Sequence, residues 1–86
     1  MNLKARLAWN LRAIRTEKGI TQENLAVDAQ VDRSTISEIE RERFNASIDL
    51  IDRIATALAV DPLDLLGVAP TEGERLKGLK AGRKPD

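Results

Sequence analysis

The sequence predicts an all-α fold, one compact domain of five short helices followed by a flexible tail. Three observations carry that prediction. Apolar residues recur at helical spacing through most of the chain. Residues that favour helix N-caps stand ahead of each later periodic segment. The 86 residues include one Phe, one Trp and no Tyr, whereas a β-sandwich or barrel of this length would want more aromatic and β-branched side chains. A chain this short makes one small domain, with a single cluster of aliphatics as its core.

The elements follow in order. Leu3, Leu7, Leu11 and Ile14 line one face of a first helix over Leu3 to Lys18, and Gly19 is a natural stop. Thr21 suits the N-cap of a second helix reaching about Ala29, with Leu25, Ala26 and Ala29 facing inward. Gln30 and Val31 leave only a very short connection before Asp32, the expected cap of a third helix that ends near Arg41. Phe44, Asn45 and Ala46 form a loop. Ser47 then caps a fourth helix whose expected inner face is Ile48, Ile51, Ile54, Ala55 and Leu58. Asp61 and Pro62 take the N-cap and first-turn positions of a short fifth helix containing Leu63, Leu65 and Leu66, stopped at Gly67. The domain thus spans 3–67. Residues 68–86, rich in Gly and charge, read as a basic, flexible tail.

Composition narrows function. Cysteine and histidine are both absent, which removes disulfides, thiolate chemistry, the commonest general base and the commonest zinc ligand. No glycine loop cradles phosphate, and no carboxylate pair is forced into a pocket. We therefore expect no enzyme, no cofactor and no metal. MNLKARLAWNLRAIR carries charge where a signal peptide would be apolar, and no run approaches a membrane span. The expected location is the cytoplasm.

Fourteen basic residues balance fourteen acidic ones, but they are segregated. Lys4 to Lys18 holds five bases and one acid, whereas Thr21 to Leu66 holds four bases and ten acids. Three of those four, Arg33, Arg41 and Arg43, gather in or just after the third helix. In that stretch, VDRSTISEIERER, Ile36 and Ile39 fall on one side at about 100° per residue. Arg33, Ser34, Ser37, Glu38 and Arg41 fall on the other. Short hydroxyls among long charges are unlike the uniform Glu/Lys of a solvated face. Two short helices joined by so tight a turn describe a helix-turn-helix, over about 22–41.

Taken together, TQENLA, STISEIER and FNASIDLIDRIATALAVDPLDLL, with LRAIRTEKG ahead of them, resemble the lambda-repressor-like, Cro/C1-type regulators of bacteria and phages. The resemblance covers about Leu7 to Gly67. It implies a sequence-specific transcription regulator, a repressor acting on duplex DNA as a homodimer at a palindromic operator. Its third helix would enter the major groove, with Arg33, Ser34, Ser37 and Glu38 facing bases. Thr21, Gln22, Arg41, Arg43 and Asn45 would meet the sugar–phosphate backbone. Arg15 and Glu40 hold positions that in this family often form an ion pair between the first and third helices. The residue chemistry is compatible: Arg forks onto guanine O6 and N7, Glu accepts from the cytosine amino group, and Ser serves either way.

The chain departs from the family pattern at two positions. Glu42 stands where Gly usually follows the third helix, and a left-handed backbone there would cost Glu on the order of 1 kcal/mol. Ala46 replaces a common Pro. Alternatives also stand beside these roles. Glu38 and Glu42 are close enough in sequence to pair with Arg41. Trp9 lies off the apolar stripe of its helix, facing either the tail or last helix, or a partner surface. A protein-interaction module on the same fold, of antitoxin or antirepressor type and binding a partner protein, is the second functional reading. Its support is the zero net charge.

Overall fold

The computed structural model describes residues 2–68. The expected tail, past Val68, lies outside the described residues. Five α-helices follow one another: α1 (Leu3–Glu17), α2 (Gln22–Ala29), α3 (Arg33–Glu40), α4 (Ile48–Leu58) and α5 (Pro62–Leu66). Among the described residues there is no strand, and no helix is long and apolar enough to cross a membrane.

Local chemistry sets most boundaries. The side chains of Asn2, Thr21 and Ser47 each accept from a free backbone N–H in the first turn of the helix they open. Asp61 does the same for α5, where Asp64 reaches back to complete a reciprocal capping box. Asp32 differs from expectation. Its backbone is extended like an N-cap, but its side chain makes no cap hydrogen bond. The first N–H groups of α3, at Arg33 and Ser34, are thus not capped from within.

Four helix ends share one device. Gly19, Gln30, Glu42 and Ala59 all adopt left-handed backbone, with φ of 71°, 62°, 62° and 60°. The next residue's N–H then bonds the carbonyl five positions back: Ile20 to Arg15, Val31 to Ala26, Arg43 to Glu38 and Val60 to Ala55. Ile20, Val31 and Val60 tuck against the core at these corners. Glu42 therefore does take the strained conformation that Gly would accept freely, and α3 ends where the usual Gly would end it.

The core is one cluster. Leu11, Leu25, Ala29, Ile36, Ile39, Ile54, Leu58 and Leu65 are essentially excluded from solvent. Through it α1 packs on α3 and α5, α2 on α3 and α4, and α4 on α5. Two residues of the expected apolar faces are not there: Leu3, at the first position of α1, is 60% exposed and Ile48 is 86% exposed. At about 100° per residue Ile48 lies only about 20° from buried Ala55, at the margin of the buried arc, so its exposure follows from its place at the first position of α4. Leu50 fills that arc instead.

Asn10 is the buried polar residue of the core. Its side-chain amide donates to the carbonyls of Leu65 and Gly67 at 2.9 and 3.0 Å. Both amide hydrogens are used, so α1 clasps the end of α5 through the two carbonyls that a helix terminus leaves open.

Candidate nucleic-acid interface

The candidate interface lies where α1, α2 and α3 meet. Burial of Ile36 and Ile39 fixes the rotation of α3 and turns its polar side away from the core. Arg33 and Ser34 stand exposed at its start, Ser37 and Glu38 are half-buried one turn on, and Arg41 is exposed just past its end. Arg43 and Asn45 are exposed in the loop that follows.

A chain of hydrogen bonds organises this surface from below. Arg15 on α1 forks onto Glu40 of α3, Nε to Oε2 at 2.7 Å and Nη2 to Oε1 at 3.1 Å. The two side chains are only 12% and 6% exposed. The third branch of Arg15, Nη1, donates to the Ile20 carbonyl at 2.9 Å and so holds the α1–α2 corner. Glu40 Oε1 also accepts from Gln22 Nε2 at 3.0 Å, and Gln22 Oε1 accepts from Arg33 Nη1 at 3.4 Å.

The chemistry of the partners dictates how Gln22 lies. A carboxylate can only accept and a guanidinium can only donate. Gln22 must therefore turn its amide nitrogen to Glu40 and its oxygen to Arg33; the flipped amide would oppose like to like at both ends. One Gln22 N–H remains for a further acceptor. Charge-assisted bonds of this kind are shorter and stronger than neutral ones, so the buried Arg15–Glu40 pair anchors the relay and Arg33 is its far end.

Arg12, Arg15, Gln22, Arg33, Ser37, Glu40 and Arg41 together line a polar cleft of about 290 Å³. Thr21, Ser34, Glu38, Arg43 and Asn45 do not line it. Thr21 spends its hydroxyl oxygen on the Asn24 N–H at 3.0 Å, which leaves the hydroxyl hydrogen to offer. Glu38 lies 3.9 Å from Arg41, a loose exposed pair that solvent largely screens.

Two contributors were missed in the sequence. Arg12 enters the cleft from α1, and its only sequence signal was a share in the basic charge of that helix. Glu40 was read as an ion-pair partner of Arg15 alone, whereas it also sets the orientation of Gln22. Trp9 is 44% exposed and lies beside Arg12 in a shallow groove with Ala13 and Thr16. Among the described residues there is no cluster of carboxylates suited to a metal ion.

Known proteins resemble this chain in sequence and fold. A model of the helix-turn-helix family matches residues 11–65. Over 76 residues the chain is 42% identical to the "Neisseria hypothetical transcription factor" of Neisseria meningitidis serogroup B, covering 88% of this chain and 69% of that one. It is 41% identical over 66 residues to control protein C.BamHI of Bacillus amyloliquefaciens, covering 76% and 82%. Among solved structures, the hypothetical transcription factor NHTF from Neisseria superposes with a TM-score of 0.78 at 40% identity, over 87% of this chain and 85% of that one. C.Esp1396I bound to a 19 base pair DNA duplex gives 0.69 at 35% identity, over 76% and 87%. The chain belongs to the Cro/C1-type helix-turn-helix family of DNA-binding transcription regulators.

Proposed function

We propose that this regulator is a cytoplasmic repressor that binds a palindromic operator as a homodimer, with α3 of each protomer in the major groove. The observation that carries the reading is Arg33, exposed at the start of α3 and braced by Gln22 of α2. The N-terminal residues of a recognition helix are the ones that reach base edges. In this reading Arg33 forks onto a guanine, Ser34 and Ser37 donate or accept as the base requires, and Glu38 accepts from a cytosine amino group. Thr21, Gln22, Arg41, Arg43 and Asn45 contact phosphates and set register without reading sequence.

Pairing follows from specificity. One α3 reaches too few base pairs to select a site, and two of them one DNA turn apart, about 34 Å, match a two-fold symmetric sequence. Occluding a promoter is then enough to repress. That C.Esp1396I is solved bound to a 19 base pair DNA duplex supports duplex DNA as the ligand.

The test is the anisotropy of a labelled duplex titrated with protein, paired with sedimentation of the complex. Two protomers per site are expected. Gln22→Ala should weaken binding to all duplexes, because it removes a phosphate contact, and to the specific duplex further, because it removes the brace on Arg33. One protomer per site, or a Gln22→Ala protein with wild-type affinity, contradicts the reading. The second reading, docking of a partner protein on the same face, draws on the ten acids against four bases in Thr21 to Leu66. It predicts no duplex binding in this titration.

A further inference from the structure

We infer that Arg12 takes a phosphate of the DNA backbone, so that the DNA-binding face extends from α2 and α3 onto the first helix. The inference rests on the DNA-binding reading above and adds a contact that neither the sequence motifs nor the recognition helix supplies.

Charge in the cleft is the starting point. Four guanidinium groups line it, those of Arg12, Arg15, Arg33 and Arg41, against the single carboxylate of Glu40. Both oxygens of that carboxylate are committed, Oε2 to Arg15 and Oε1 to Arg15 and Gln22. Arg15 and Glu40 cancel each other, which leaves three positive groups facing one recess. Arg41 is loosely paired to Glu38 at 3.9 Å, and Arg33 touches only the neutral Gln22 amide. The Arg12 guanidinium has no hydrogen-bond or ion-pair partner among the described residues, and its side chain is exposed.

Glu42 lies with Arg12 in the adjoining groove but forms no ion pair with it, so the exposed Arg12 adds its charge to those of Arg33 and Arg41 at the recess and favours an anion there. Planar guanidinium groups match the oxygens of a phosphate as they do those of a carboxylate, and a bound duplex presents phosphates. The same recess carries Ser37 and Arg33 on its α3 wall, so a strand that presents base edges to α3 brings its own phosphates past Arg12. The ligand is therefore a phosphodiester of the bound duplex, one per protomer. Trp9 shares two adjoining grooves with Arg12. As the chain's sole tryptophan, it is a built-in reporter of events there.

The experiment measures duplex affinity across a salt series for the wild type, Arg12→Gln and Arg12→Lys, with Trp9 emission recorded in parallel. Each phosphate neutralised contributes about 0.9 to the slope of log affinity against log salt. Arg12→Gln should therefore lower the slope by about 0.9 per bound protomer. Between 50 and 200 mM salt the wild type then loses roughly 3–4-fold more affinity per protomer than the variant. Arg12→Lys should keep the wild-type slope, and the base preference of Arg12→Gln should be unchanged.

Three results overturn the inference, and they differ. A wild-type protein that binds no duplex removes the DNA-binding reading and this contact with it. Steep wild-type salt dependence that Arg12→Gln retains in full removes the contact alone. A saturable change in Trp9 emission with inorganic phosphate, at constant ionic strength and without DNA, assigns the cleft to a free anion instead.

Discussion

Glu40→Ala should be among the most damaging single substitutions in the protein, although it touches neither the apolar core nor a base. The magnitude follows from the site. Arg15 and Glu40 are 12% and 6% exposed and share two hydrogen bonds. Removing one partner of such a pair leaves an uncompensated buried charge, at a cost of roughly 3–5 kcal/mol. Gln22 also loses its acceptor, about 1 kcal/mol more, while the surviving bond from Arg15 to the Ile20 carbonyl offsets a part. A loss of about 3 kcal/mol or more compares with a total stability of roughly 3–10 kcal/mol for a domain of this length. The double variant Arg15→Met/Glu40→Leu should restore stability to near wild type, because a buried ion pair replaced by packed aliphatics is often neutral or better. It should still bind DNA poorly, since nothing then holds the Gln22 oxygen toward Arg33. Urea unfolding followed by far-UV circular dichroism gives the stabilities, and duplex titration gives the binding. A Glu40→Ala protein within 1 kcal/mol of wild type would mean the pair is screened and the buried-anchor argument wrong. A double variant with wild-type DNA binding would refute the orienting role of Glu40.

Two further outcomes are expected. Glu42→Gly should stabilise the domain by about 1 kcal/mol, because φ is 62° there and only Gly enters that region without steric cost. Glu23→Gly, in the right-handed backbone of α2, should do the opposite; equal effects in urea unfolding would dispose of the strain argument. Asn10→Ala should cost roughly 2–3 kcal/mol by orphaning the Leu65 and Gly67 carbonyls, and hydrogen exchange should speed up first in α5. Uniform acceleration through all five helices would show that Asn10 does not act as the clasp of α5.

Much of this fold was legible because its boundaries are local. Thr21, Ser47 and the Asp61-Pro62 pair announce helix starts by their own chemistry, and Leu25, Ala26 and Ala29 face inward as their spacing requires. Ile48 was misread because it sits at the first position of α4, where periodicity extends a stripe that the neighbouring helices do not cover. Asn10 went unread because its partners lie 55 and 57 residues away. Of the site, the polar face of α3 was visible as a pattern, and Arg15, Gln22 and Glu40 came from family resemblance. What neither supplies is the third dimension: that α1 leans on α3 closely enough to bring Arg12 to the same cleft as Arg33. Glu42 is a subtler case. Its departure from Gly was plain in the sequence, but only the hydrogen bond from the Arg43 N–H to the Glu38 carbonyl shows that the corner keeps its geometry.

The central claim is that α3 reads bases through Arg33. The most direct measurement is selection of bound duplexes from a random pool at near-physiological salt, run in parallel for the wild type and Arg33→Ala. The wild type should enrich a two-fold symmetric site with half-sites about one helical turn apart. Arg33→Ala should enrich the same site with preference lost at one base pair per half-site, a discrimination of about 1–3 kcal/mol. An unenriched pool from the wild type, or the same motif at full information from both proteins, would contradict it.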